Sequence, residues 1–170
     1  MASSFSTNLG IEKPNTGELS GTWGDVTNFN FDIFDRVIGA SDLTASDLTT
    51  DLTIRLGSPT SGSTNVQTGM FAVINLKDSG SDLGGTNVVT IAPNTSSKFF
   101  IIKNSLSGSR AATIQQGSGA TVTIPNGNTD IVFCDGNGST AAVTGVGASI
   151  NLADNSEVAG QATALAIALG

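Results

Sequence analysis

Fourteen carboxylates, one thiol and no imidazole are the inventory from which this 170-residue chain could build a reactive centre. Without His there is no His metal ligand, no Ser-His or Cys-His nucleophile and no imidazole proton shuttle. Cys134 is alone, so neither an intrachain disulfide nor a CxxC metal or redox pair can form. It falls in the apolar run DIVFCD and reads as an inert core residue of a chain that suits a reducing compartment. Asp78-Ser79-Gly80-Ser81-Asp82 and Asp135-Gly136-Asn137-Gly138-Ser139 are rich in oxygen. Calcium, however, needs about six to eight oxygens, and neither stretch has the Gly and terminal Glu of a calcium-loop pattern. Both read as Asx turns. Asp130 and Asp135 are the one close carboxylate pair in the strand-rich part, and their spacing puts them on opposite faces of one strand, which does not serve glycoside hydrolysis. Gly117-Ser118-Gly119 and Gly145-Val146-Gly147 lack the following Lys-Ser/Thr and helix start of a phosphate loop. The sequons at Asn94 and Asn137 carry no weight without a secretory route. The expectation is no catalytic residue, no cofactor, no metal and no enzyme.

Composition narrows the partners as well. Ser, Thr, Asn and Gly make up 76 residues, charged residues only 12%, and the net charge is −7. The apolar fraction of 38% is that of a folded chain, with enough length for one domain and a buried core. Residues 1–51 hold eight acidic groups (Glu12, Glu18, Asp25, Asp32, Asp35, Asp42, Asp47, Asp51) against Lys13 and Arg36. Seven scattered Lys and Arg cannot neutralise a row of phosphates, so nucleic acid and anionic membrane surfaces are not expected partners. No stretch of about eighteen apolar residues is present, and MASSFSTNLG lacks the charged and apolar regions of a secretory signal.

The elements that would position any site divide the chain into four. Residues 1–21, interrupted by Gly10, Pro14, Gly17 and Gly21, read as an extended arm that orders only by lying on something else. Residues 22–39 read as one amphipathic helix. Thr22 is the expected N-cap, Asp25 a capping-box carboxylate, and Gly39 a left-handed C-cap. Val26, Phe29, Ile33 and Val37 recur at helical spacing, and Phe31, Phe34 and Ile38 widen the stripe. Such a stripe covers the open face of a sheet or docks on another subunit. Trp23 is the largest apolar group there.

Residues 40–153 read as a β-rich module. Short β-branched or aromatic runs at 52–56, 70–76, 88–92, 99–104, 111–116, 121–125, 130–135 and 141–146 are bounded by Gly, Asn, Ser or Pro. Their spacing predicts an antiparallel β-sandwich or barrel-like module, with hairpin connections at 105–110 and 116–120 and an Asn-Gly turn at 125–128. The run SDLTASDLTTDL at 41–52 favours caps and turns. Phe71, Phe99, Phe100 and Phe133 sit inside apolar runs and read as core, which leaves no exposed aromatic for a sugar face. The tail, 154–170, fits a helix through Val158, Ala162, Leu165 and Leu169, and equally a strand through Leu165, Ile167 and Leu169. An apolar terminal segment of this kind favours an oligomer that covers it.

Two stretches resemble a known family. EKPNTGELSGTWGDVTNFNFDIFD (12–35) resembles the leader of virion proteins of tailed bacteriophages, notably marine ones. FFIIKNSLSGSRAATIQQGSGATVTIPNGNTDIVFCDGNG (99–138) resembles the β-module that follows that leader. The resemblance implies a fibre-like structural protein of the virion, assembled in the host bacterial cytoplasm and usually trimeric. Long fibres continue with repeats and a receptor-binding tip, which this sequence does not show. The expectation is therefore a homotrimeric capsid decoration, cement or short head-fibre protein bound to the major capsid protein. The alternatives are a tail fibre, baseplate or adaptor component, and a host-glycan-binding module. The candidate interaction residues are Trp23, Phe29, Phe31, Ile33, Phe34, Val37, Leu165, Ile167 and Leu169.

Overall fold

A computed structural model describes residues 3–45, 49–53, 66–78 and 87–146. The candidate tail residues Leu165, Ile167 and Leu169 lie outside this set, as do residues 79–82 of the Asp78–Asp82 stretch. The β-rich part is a two-layered, mainly β module, as the strand spacing predicts. One layer is a five-stranded sheet built from β3 (Ala40–Ala45), β5 (Val73–Asp78), β7 (Lys98–Asn104), β10 (Thr129–Cys134) and β11 (Val143–Gly145). The other is a four-stranded sheet of β4 (Thr49–Thr53), β6 (Asn87–Ala92), β8 (Ala112–Gln115) and β9 (Val122–Ile124).

From β3 to β8 the chain alternates between the two sheets, strand by strand, so that each pair of strands makes one coil and successive coils stack. Their ladders are accordingly parallel: β3 on β5, β5 on β7, β4 on β6 and β6 on β8. Ala40, Val73 and Ile101 fall in one row, as do Thr49, Val88 and Thr113. The direction then reverses. β9 runs antiparallel to β8, β10 to β7 and β11 to β10. The antiparallel expectation thus holds for the closing strands and gives way to parallel stacking in the coils. Spacing alone did not separate the two, because a coil connection such as 105–111 is as short as a hairpin loop and carries a Gly turn like one. Segment 116–120 is a true hairpin connection, whereas 105–110 and 125–128 cross from one sheet to the other. The Asn-Gly turn closes by Asn128 N–H donating to Pro125 O at 3.2 Å, with Gly127 at φ +77° as its third residue.

Alternate residues of both sheets meet in one core: Ile74, Leu76, Phe100, Ile102, Val132, Cys134 and Val143 from one layer, Val89, Ile91, Ala112, Ile114 and Ile124 from the other. Within the 41–52 run, expected as turns, the described residues are strand: Leu43 packs on this core, β5 pairs with all of β3, and β6 pairs with all of β4. A tertiary partner overrides the local turn preference of Asp and Thr.

Chains that cross between layers carry backbone groups into the rims, where no ladder can satisfy them. Two fully or almost fully buried amides do so. Asn104 donates through Nδ2 to Arg110 O at 2.8 Å and Ile124 O at 2.9 Å, and accepts at Oδ1 from Leu106 N–H at 3.1 Å. Gln116, at the opposite rim, donates to Ser96 O at 2.6 Å and accepts from Gly136 N–H at 3.0 Å. Gly117 and Gly119 are needed for close approach. A Cβ on Gly117 would lie 2.8 Å from Ala141 N, and one on Gly119 would lie 2.7 Å from Thr140 O.

The N-terminal arm is a small hairpin. β1 (Ser4–Phe5) pairs with β2 (Glu12–Lys13), and Leu9 and Ile11 pack on a second cluster of Phe29, Ile33 and Met70. It lies on the module through Ser96 Oγ donating to Thr7 O at 2.8 Å and Ser97 N–H donating to Asn8 Oδ1 at 3.0 Å. Replacing Asn104 by Ala removes three bonds and leaves two buried carbonyls and an N–H unpaired. Each such group costs about 1–3 kcal/mol, so the urea midpoint is expected to fall by the equivalent of about 3 kcal/mol or more with an unchanged m value.

Candidate functional site

Helix α1 (Trp23–Arg36) carries two apolar faces rather than one broad stripe. Val26, Phe29 and Ile33 are buried, the last two against Leu9 and Ile11 of the arm and Met70, so the helix rests on these rather than on an open sheet face. Asn30, beside that face, clamps the arm by accepting from Glu12 N–H at 3.0 Å and donating to Glu12 O at 2.8 Å. The second face is exposed. At about 100° per residue, Trp23, Phe34 and Phe31 fall within one narrow sector, and Ile38 in the turn that follows continues the line. Trp23 is 63%, Phe31 64%, Phe34 54% and Ile38 83% exposed. Val37, a candidate from the sequence, is half-buried at the C-cap.

The expected caps differ. Thr22 occupies the N-cap position, but its hydroxyl donates to Leu19 O at 3.4 Å and caps no helix amide. Gly39 is not left-handed, and a Cβ there would make an ordinary contact with the Phe71 ring, 3.5 Å from Cδ1.

The five-stranded sheet exposes the second apolar region. Phe99 on β7 and Phe133 on β10 are direct cross-strand partners on its outer face, 59% and 42% exposed. The next row on the same face is Val73, Ile101 and Ile131. This corrects the sequence reading of Phe99 and Phe133 as core, while Phe100, one residue on, is fully buried. The run KFFIIKN is apolar at both parities, so alternation gave no sign of which Phe faces outward. Further along, the row Asp42, Asn75, Lys103 and Thr129 turns the face polar. A shallow depression of about 360 Å³ lies here, lined by Ala40, Ser41, Asp42, Asn75 and Lys103. Asp42 is already engaged, by Lys77 Nζ at 2.7 Å and Asn75 Nδ2 at 3.0 Å, and these bonds hold its carboxyl below the usual range. The outer face of the four-stranded sheet is different in kind, with Gln115 donating to Thr90 at 3.1 Å and Thr113 bonded to Thr123 at 3.3 Å.

Reactive groups elsewhere are tied into structure. Asp135 Oδ1 accepts from Asn137 N–H and Ala142 N–H, both at 3.0 Å, which makes its loop an Asx turn. Cys134 is buried and free, and burial pushes its thiol up to about 12, with the Asp135 charge adding to the shift. Its cross-strand partner Lys98 points inward and donates to the carbonyls of Gly69 (2.8 Å), Met70 (3.1 Å) and Phe71 (3.2 Å), 4.7 Å above the Phe100 ring. Burial brings its pKa down to about 8. Among the described residues no group of three or more His, Cys, Asp and Glu is placed to hold a metal ion, and no helix is long and apolar enough to cross a membrane.

Comparison with protein-family models, with curated proteins and with solved structures returns no match.

Two measurements check this geometry. Trp23→Ala is expected to lower folding stability by less than about 1 kcal/mol, far below the ~3–5 kcal/mol of a buried Trp truncation, as read from urea unfolding. For Lys98, the unfolded chain holds its proton up to an ordinary 10.5 and the folded chain only to about 8, so stability rises with pH above about 8. For Cys134 the order is reversed, ordinary 9.0 against about 12, so stability falls from about 9 upward. The urea midpoint of the protein should therefore rise near pH 8–9, level off as the two oppose, and decline above 10.5. Cys134→Ala should remove the decline.

Proposed function

We propose that the chain is a structural protein of a tailed-phage particle, assembling as a homotrimer and binding the outer surface of the capsid as a decoration or cement protein. The observation that carries this reading is the pairing of a chemically quiet module with two exposed apolar surfaces, the Trp23–Ile38 ridge and the Phe99–Phe133 face. Isolated exposed apolar residues are ordinary, but clustered ones mark contact sites. The likeness of residues 12–35 and 99–138 to virion leader and β-module sequences supplies the setting. Many copies on a repeating shell hold firmly even when each contact is weak. The exposed Phe99–Phe133 pair also supports a second reading, stacking against a host glycan, of the kind that aromatic platforms provide.

Purified particles of the phage that encodes the chain test the proposal. Gel densitometry should find hundreds of copies per particle, retained on heads separated from tails. A few copies, in multiples of three or six and on the tail fraction, would replace capsid decoration by a tail-fibre, baseplate or adaptor role. Absence from mature particles would end the virion reading.

A further inference from the structure

We infer that the exposed helix ridge of one copy docks on the outer face of the five-stranded sheet of the next copy, head to tail, so that three such contacts close a ring. The inference rests on the homotrimer just proposed and assigns its interface. The two surfaces differ in shape and sign in a way that suits one to the other. The ridge is narrow and convex, with Trp23, Phe31, Phe34 and Ile38 along it and the acidic Asp35 on one flank, while Asp32 beyond it is paired with Arg36 at 3.5 Å. The face is a sheet, with Phe99, Phe133, Ile101, Ile131 and Val73 at one end and the exposed cation Lys103 at the other. Asp35 lies one turn of helix from the apolar line, as Lys103 lies one residue pair beyond the Ile101 row.

Area agrees. With about 150–250 Å² on a whole aromatic side chain, the ridge exposes on the order of 500 Å² of apolar surface. A contact that covers it and an equal part of the face buries roughly 1,000 Å² in total, about the lower bound for a specific interface. A face-to-face dimer of sheets would leave the ridge bare. A glycan would need hydrogen-bonding groups around the stacking rings, whereas the neighbours of Phe99 and Phe133 on this face are Ile101, Ile131 and Thr144. The opposite sheet, with its paired Thr and Gln side chains, offers nothing comparable.

Rescue by mixing separates a ridge-to-face contact from ridge-to-ridge and face-to-face contacts. A trimeric rather than dimeric parent separates the head-to-tail ring from a two-fold pair, which would overturn it. The full chain is compared with a ridge variant (Phe31→Ser with Phe34→Ser) and a face variant (Phe99→Ser with Phe133→Ser) by sedimentation velocity and native mass spectrometry. All four residues are exposed, and circular dichroism verifies the fold. The unaltered chain should be trimeric, and each variant monomeric over at least a hundredfold range of added concentration. Mixing the two variants should give a heterodimer, since one intact ridge then meets one intact face. Asp35→Lys and Lys103→Glu should each weaken assembly at least tenfold, and together in one chain restore it. A trimer that survives either variant, or a mixture that stays monomeric, overturns the inference. So does a monomeric parent chain that loses glycan-array binding on Phe133→Ser. A monomeric chain found in hundreds of copies on phage heads overturns the ring while leaving the virion reading intact. A ring absent from particles does the opposite.

Discussion

The module depends on how the rims of its two layers are satisfied. A strand that leaves one sheet for the other carries carbonyl and amide groups through a region with no ladder, and burial there without partners costs more than most single apolar contacts return. Asn104 and Gln116 resolve this at opposite rims, each gathering groups from two separate segments. Their amides offer donors and acceptors together, which a hydroxyl or carboxylate cannot do at the same reach. Lys98 does the related task inside, collecting the three carbonyls at the end of the 3-10 turn Thr68–Met70. Arg110 and Asp78, 3.8 Å apart and both nearly buried, close the loop side of the same sheet, with Ser107 N–H on the carboxylate at 2.6 Å. The core can then be made of modest Ile, Val and Leu, because the polar framework decides where the strands cross.

This framework leaves the two outer faces free to diverge. On the four-stranded sheet the hydroxyl and amide side chains satisfy one another across strands, which suits a surface that faces water. On the five-stranded sheet, aromatic and β-branched side chains take the corresponding positions. The helix shows the same division within fourteen residues. Phe29 and Ile33 hold it to the arm, while Phe31 and Phe34, at neighbouring positions, face out.

Much of the architecture was legible because the chain punctuates itself. Seven of the eight strand runs have a counterpart, and the run at 52–56 meets β4 at Leu52 and Thr53 with its remainder outside the described residues. The helix begins and ends within three residues of its expected bounds. Period-2 alternation relates Ile74 to Leu76 and Val89 to Ile91 as residues of one face, and in the structure these are the inner faces. It failed where apolar residues occupy both parities, as at Phe99-Phe100-Ile101-Ile102, since only packing tells which face is covered. Parallel stacking was equally hidden: register between coils is set by Leu43, Leu76 and their partners far along the chain, not by the turns. In the helix, a seven-residue apolar stripe looked like one face because periodicity measures angle and not what lies opposite. The arm, read as extended, folds back as a hairpin and rests on Phe29, Asn30 and Ile33 of the helix, on Met70, and on Ser96 and Ser97 of the module, partners that no pattern within residues 1–21 announces.

The change of winding after β8 fixes more than topology. Up to that strand, each circuit repeats the last with loops of different length, and an additional circuit would find matching rows above and below. Beyond it, β9 and β10 run against the stack and fasten its end. Elongation by whole circuits is therefore open to this architecture ahead of β9 and closed after it. A taller version of the same scaffold would grow from within, with its terminal lock carried along unchanged.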